Sequence, residues 1–150
     1  MSVKVIAIGN ILMRDDAIAI EVAKEIEEEL LEKGIVVIYG ETDFEYCISK
    51  VSEEDYIFIL DAAQLGKSPG EVAFLPLNDF DFKKRGYTQH SYSFLDLLKL
   101  FYPNIQGEIC AIEIEEVEFS LGLSPRLQEK LKDISEKILN KIESIIEVNK

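Results

Sequence analysis

The sequence predicts an α/β protein, a three-layer αβα sandwich around a mostly parallel twisted sheet, with one edge strand that can run antiparallel. Two observations lead to this fold class. Short apolar runs, such as residues 3–8 and 55–62, are typical of strands buried on both faces. Amphipathic segments separate these runs, and alternation of strands and helices is the pattern of right-handed βαβ units.

The first half of the chain alternates between the two kinds of element. Residues 3–8 predict a strand that ends at Gly9, and residues 16–33 predict an amphipathic helix that ends before Gly34. The other elements predicted in this half are a strand over 35–39, a short helix over 44–50, a strand over 55–62 and a strand over 72–77.

The second half contains fewer and longer elements. Residues 78–89 are polar and predict an irregular segment, and a helical pattern follows over 91–102. Residues 108–119 alternate in part between apolar and acidic side chains, which predicts a strand near an edge of the sheet. A long amphipathic helix is predicted from Ser124, with Pro125 in its first turn.

Composition narrows the function classes. The 150 residues, of which 47% are hydrophobic, predict a single domain over 1–150, which we expect to be a monomer. The net charge of -13 disfavours nucleic acid and anionic membranes as partners. No segment approaches the roughly 20 apolar residues of a membrane span, and the chain starts almost directly with a strand, so we expect a cytoplasmic protein. Cys47 and Cys110 lack zinc-site spacing and predict free thiols.

Acidic side chains follow two of the predicted strands. Asp15 and Asp16 come after the first strand, and Asp61 lies at the end of the third. Ligands of open α/β sheets gather beyond the carboxyl ends of the strands, so these side chains should lie at one rim. His90, the only histidine, precedes a predicted helix that can bring it there. Two carboxylates and an imidazole suit a borderline divalent metal with open coordination positions.

Each of these residues also has a purely structural interpretation. Asp15 or Asp16 can cap the helix that follows, Asp61 can accept hydrogen bonds from loop amides, and His90 can be a surface or capping residue. Which group would act as a general base stays open, and Asp15 is a candidate only because it is adjacent to Asp16.

Two other loops were considered as ligand-binding sites. Gly9-Asn10 stands outside any GxGxxG or GK[ST] pattern, which disfavours a nucleotide-binding enzyme on a similar sheet. The stretch "GETDFE" (40–45) has two interpretations, a third loop on the rim or a helix start with Thr42 or Asp43 as its cap, and the pattern favours the helix start.

Several motifs together resemble a known family across nearly the whole chain. In order, they are "AIGNILMRDDAIAIEVA", "GETDFE", "FILDAAQLG", "TQHSYS" and "IEIEEVEFSLGLSPRLQEKL". This combination resembles the hydrogenase maturation endopeptidases, which remove a C-terminal peptide from the large subunit of nickel-iron hydrogenases after nickel insertion. The resemblance implies that Asp16, Asp61 and His90 are both metal ligands and catalytic residues. It also implies that the metal is nickel supplied by the partner, the hydrogenase large-subunit precursor.

The chain departs from the family pattern at the first two motifs. Ala17 and Ala19 stand where a glycine is usual after the acidic pair, and Glu41 lies between Gly40 and Thr42 in the second motif. These departures affect how the substrate approaches the site and which hydrogenase is the substrate. A non-catalytic chaperone that checks the metal during large-subunit assembly would keep the same site, and it is the alternative function.

Overall fold

The computed structural model describes residues 2–78 and 90–148. The strands are β1 (Val3–Ile8), β2 (Val36–Glu41), β3 (Tyr56–Ala63), β4 (Val72–Pro76) and β5 (Gln106–Glu113). The α-helices are α1 (Ile18–Glu32), α2 (Phe44–Ser49), α3 (Ser91–Phe101) and α4 (Pro125–Val148), and a 3-10 turn, Arg14–Ala17, precedes α1. The irregular segment predicted over 78–89 lies outside the described residues from position 79 onward.

The five strands form one sheet in the order β2-β1-β3-β5-β4. The first four strands of this order run parallel, and β4 is antiparallel to β5. The loop between β3 and β4, residues 64–71, is too short for the crossover that a parallel strand needs, so the chain reverses direction. Pro76, which lacks an N–H group, lies at the end of this edge strand. The predicted fold class, including its antiparallel edge strand, is confirmed.

Helices cover both faces of the sheet. Alternate strand residues such as Val5, Phe58 and Cys110 join α1 and α4 in one apolar core, and their neighbours Ile6, Ile59 and Ile109 join α2 and α3 in the other. Because successive strand residues point to opposite faces, a sheet covered twice needs continuous apolar strands. This requirement explains the short apolar runs of the sequence.

The prediction for residues 108–119 was wrong at its C-terminal end. The strand ends at Glu113, and it lies near an edge of the sheet as predicted, between β3 and the edge strand β4. Its partial alternation comes from two buried glutamates with specific partners: Glu108 contacts Lys141 and Tyr56, and the Glu113 side chain accepts a hydrogen bond from Leu65 N. The acidic residues 115–118 belong to an exposed loop after the strand.

Across residues 2–78 and 90–148, no helix has both the length and the apolar composition needed to cross a membrane.

Candidate metal centre and active site

Asp16, Asp61 and His90 meet at the carboxyl ends of the central strands. Asp16 lies on the 3-10 turn after β1, Asp61 lies near the end of the neighbouring β3, and His90 immediately precedes α3. One ligand atom from each residue lies within 4.8 Å of the other two. The two aspartates are buried, and the His90 side chain is 23% exposed. The arrangement therefore has one side through which a ligand can enter.

Asp16 is held by the loop that follows β1. Its Oδ2 accepts a hydrogen bond from Asn10 N at 2.9 Å and lies 2.7 Å from His90 Nε2. Gly9 allows this close approach, because a Cβ atom on Gly9 would lie 2.2 Å from the Asp16 carbonyl oxygen. The φ angle of Gly9, 148°, also favours glycine. The Gly-Asn pair of the sequence thus positions a carboxylate.

Asp61 positions His90. Its Oδ2 accepts hydrogen bonds from His90 N at 2.8 Å, Ser91 N at 2.7 Å and Ser91 Oγ at 2.7 Å. These bonds fix the start of α3, so the structural interpretation of Asp61 as an acceptor for amides holds for one of its oxygens. The other oxygen, Oδ1, makes no hydrogen bond to the start of α3.

Each aspartate keeps one buried oxygen without a partner. Asp16 Oδ1 and Asp61 Oδ1 accept no hydrogen bond from the described residues. Burying an unpaired carboxylate oxygen is costly, and native proteins rarely do so without a functional reason. A divalent cation would satisfy both oxygens, and His90 Nε2 would complete a mixed oxygen and nitrogen donor set that suits nickel or zinc. The residues present therefore fit a metal ion.

Burial and hydrogen bonding shift the pKa values at this site upward. Burial raises the pKa of Asp61 to about 6, although the bonds from His90 and Ser91 oppose the shift. The hydrogen bond to Asp16 raises the pKa of His90, against the effect of its own burial. Without metal, Asp61 and His90 therefore bind protons more tightly than the same side chains do in water, and a metal ion would compete with those protons.

We expect stability and nickel affinity to respond to pH in opposite directions. Because the folded-state pKa of His90 is raised, its contribution to stability is complete below its ordinary pKa of 6.5 and is lost as pH rises through the raised value. Nickel needs the neutral imidazole, so its affinity should rise by close to 10-fold per pH unit below that value.

Urea unfolding and nickel titration calorimetry between pH 5.5 and 8.5 test this expectation. The stability difference between the native chain and His90→Gln should shrink as pH rises, while the nickel affinity of the native chain grows. Slopes of the same sign would contradict the assignment of His90.

Asp15 has an entirely different environment from its neighbour. It is fully buried, and Ser124 N donates to its Oδ1 at 2.7 Å. Ser124 Oγ and the amides of Glu115 and Glu116 donate to its Oδ2. These bonds fasten the loop after β5 and the start of α4 to the turn that carries Asp16. Asp15 has no access to a substrate, which removes it as a candidate general base.

The capping predictions had mixed outcomes. Neither the 3-10 turn nor α1 has a side-chain cap, so the interpretation of Asp15 or Asp16 as a cap of the following helix was wrong. Asp43 caps α2 by accepting a hydrogen bond from Tyr46 N, as predicted. The bonds from Ser91 to Asp61 were not foreseen, although a serine at a predicted helix start is a recognised signal for such contacts.

Comparisons with known proteins agree with this architecture. Residues 20–141 match the family model HycI, described as hydrogenase maturation protease. The chain is similar to the solved structure of the [NiFe] hydrogenase maturation protease HybD from Thermococcus kodakarensis, with 26% identity, coverage of 95% of this chain and 99% of that chain, and a TM-score of 0.77.

A second solved structure, the hydrogenase maturating endopeptidase HybD from E. coli, is 20% identical over 96% of this chain and 93% of its own, with a TM-score of 0.77. No curated protein matches the chain in a sequence search. Because the family model covers most of the chain, the protein belongs to the hydrogenase maturation proteases and is an endopeptidase.

Proposed function

We propose that this protein removes the C-terminal peptide of a nickel-loaded hydrogenase large-subunit precursor, and that Asp16, Asp61 and His90 bind the nickel of the precursor. The observation that carries the proposal is the pair of buried, unpartnered carboxylate oxygens beside an imidazole nitrogen, all within 4.8 Å. Membership of the hydrogenase maturation proteases supplies the reaction class.

The existing hydrogen bonds define how the site accepts the metal. Without nickel, His90 Nε2 bonds to Asp16 Oδ2 and the pair closes the site. A nickel ion would be held by His90 Nε2, in its neutral form, and by the Oδ1 atoms of Asp16 and Asp61, which have no hydrogen-bond partner among the described residues. Asp61 keeps its bonds to the start of α3 through Oδ2, so His90 stays in place throughout.

Metal capture makes cleavage conditional on a loaded precursor. The three side chains hold the precursor by its nickel and thereby place the nearby scissile peptide at the rim of the sheet. Bound nickel supplies Lewis acidity for the peptide carbonyl or the attacking water. A precursor without nickel offers no such anchor, and its tail is not held in a reactive position.

Mass spectrometry of a cleavage reaction tests the proposal. The purified protein is mixed with the nickel-loaded large-subunit precursor of the same organism, and with the nickel-free precursor. We expect loss of a C-terminal peptide only from the loaded precursor, and none with Asp16→Asn. An intact precursor that co-purifies with the native protein would instead support the non-catalytic assembly chaperone.

A further inference from the structure

An open groove adjoins the candidate metal centre. Residues 9–12 line one side and Glu41 and Thr42 the other, around a volume of about 290 Å³. The groove is connected to the metal ligands through the backbone. Gly9 N donates to Glu41 O at 2.9 Å, and Asn10 N donates to the carboxylate of Asp16 at 2.9 Å. The loop that lines the groove is therefore the same loop that holds Asp16.

Glu41 is an unexpected residue at this position. It is the last residue of β2, and it pairs with Ile8 of β1, where the register of the two strands shifts. Its φ angle of 51° lies in the left-handed region. Glycine adopts this conformation without strain, whereas a residue with a Cβ atom does not. The Glu41 side chain is exposed and has no hydrogen bond or ion pair with the other described residues. Within the described part of the chain, no polar contact of its side chain therefore offsets this strain.

The charge and the walls of the groove define the ligand that would fit. Among residues 2–78 and 90–148, no lysine or arginine lines the groove, and Glu41 lies at the carboxyl end of β2, on the same rim as Asp16 and Asp61. Ile11 and Leu12 are 41% and 45% exposed on the opposite wall. A lysine or arginine side chain suits such a groove, because its charged end can pair with a carboxylate while its aliphatic stem contacts apolar surface.

We propose that the groove binds the precursor segment next to the scissile bond, and that Glu41 is a specificity residue that pairs with a lysine or arginine of that segment. This proposal rests on the proposed function. It assigns Glu41 to recognition only, since its carboxylate has no contact with the three metal-binding side chains.

A charge-swap experiment tests the proposal. Precursors are prepared in which each lysine or arginine within about four residues of the cleaved bond, roughly 13 Å of extended chain, is changed in turn to Gln and to Glu. They are cleaved by the native protein, Glu41→Gln, Glu41→Lys and the control Glu45→Gln, which removes another exposed acidic charge that is not part of the groove.

Glu41→Gln should lower kcat/KM on the unmodified precursor by about 3-fold, through KM, and Glu41→Lys should lower it by about 10-fold. At one precursor position, the change to Gln should abolish the difference between the native protein and Glu41→Gln, and the change to Glu should restore cleavage by Glu41→Lys. Glu45→Gln should behave as native. Glu41→Gly, which removes the strain, should melt no lower than native and lose as much activity as Glu41→Gln.

Two results would overturn the proposal, and they differ in what else they affect. Equal losses for Glu41→Lys on every precursor, or no loss on any, would refute the role of Glu41 while leaving the proposed function intact. No cleavage of the loaded precursor by the native protein would refute the proposed function itself, and the role of Glu41 with it.

Discussion

Asp61→Asn should leave the protein at least as stable as the native chain while it lowers nickel affinity and cleavage rate by on the order of 100-fold or more. The two effects have opposite signs because the carboxylate has two separate duties. One oxygen fixes the start of α3 through three hydrogen bonds, and the other is buried without a partner. An asparagine can perform the first duty but not the second.

The stability half of this prediction follows from the pKa. Burial raises the pKa of Asp61 to about 6. Ionising this side chain therefore costs more free energy in the folded protein than in the unfolded chain, and the ionised form destabilises the fold at neutral pH. Since the folded-state value is raised, the destabilisation develops as pH rises from about 4 to about 6 and is complete above that range. A neutral side chain of the same shape avoids it, and its carbonyl oxygen still accepts the bonds from His90 and Ser91.

Urea unfolding at pH 7.5 and nickel titration calorimetry measure the two halves. Asp55→Asn is the matched control, because Asp55 is a buried aspartate immediately before β3 that pairs with Lys4 at 2.8 Å. The control should lose stability and keep native nickel affinity. If Asp61→Asn bound nickel as tightly as the native chain, Asp61 would not be a ligand.

Asp15→Ala should lower the free energy of unfolding by about 3 kcal/mol, which corresponds to a melting temperature about 10 °C lower. The substitution removes an acceptor shared by four donors, among them both groups of Ser124 at the start of α4. Ser124 N then lies in a buried position without its partner, which is more costly than the loss of a surface hydrogen bond.

Thermal melts of the metal-free protein measure this effect. Asp133→Asn, on the exposed side of α4, is the control and should change stability by less than about 0.5 kcal/mol. A melting temperature of Asp15→Ala equal to that of the control would show that the loop after β5 is held by other contacts.

The strands show which part of the fold can be predicted from local sequence. Val3–Ile8 and Tyr56–Ala63 are buried on both faces, so their runs of apolar residues were sufficient to identify them. The end of Gln106–Glu113 was misplaced because the partial alternation of apolar and acidic residues continues beyond it, to residue 119. Within the strand, Glu108 and Glu113 are buried, with partners on α4, on β3 and on the loop after β3. Partners that are distant in sequence leave no local pattern.

The candidate site shows the same division. The sequence alone determined that Asp16, Asp61 and His90 come after strands or before a helix of a parallel sheet, which is enough to place them at one rim. Their proximity depends on the strand order, with β1 beside β3, and on the hydrogen bonds that fix His90 over Asp61.

Only the tertiary structure gives a physical reason for the difference between the two adjacent aspartates. Asp15 and Asp16 are chemically identical and one residue apart, and apart from the family resemblance, which points to Asp16, the residues themselves left open which of them is the cap, the ligand or the base. The 3-10 turn directs Asp15 toward the amides at the start of α4 and Asp16 toward His90. The physical reason is that a carboxylate takes its function from the groups around it, and here the partners that differ between the two aspartates, His90 and Ser124, lie 74 and 109 positions away in the sequence.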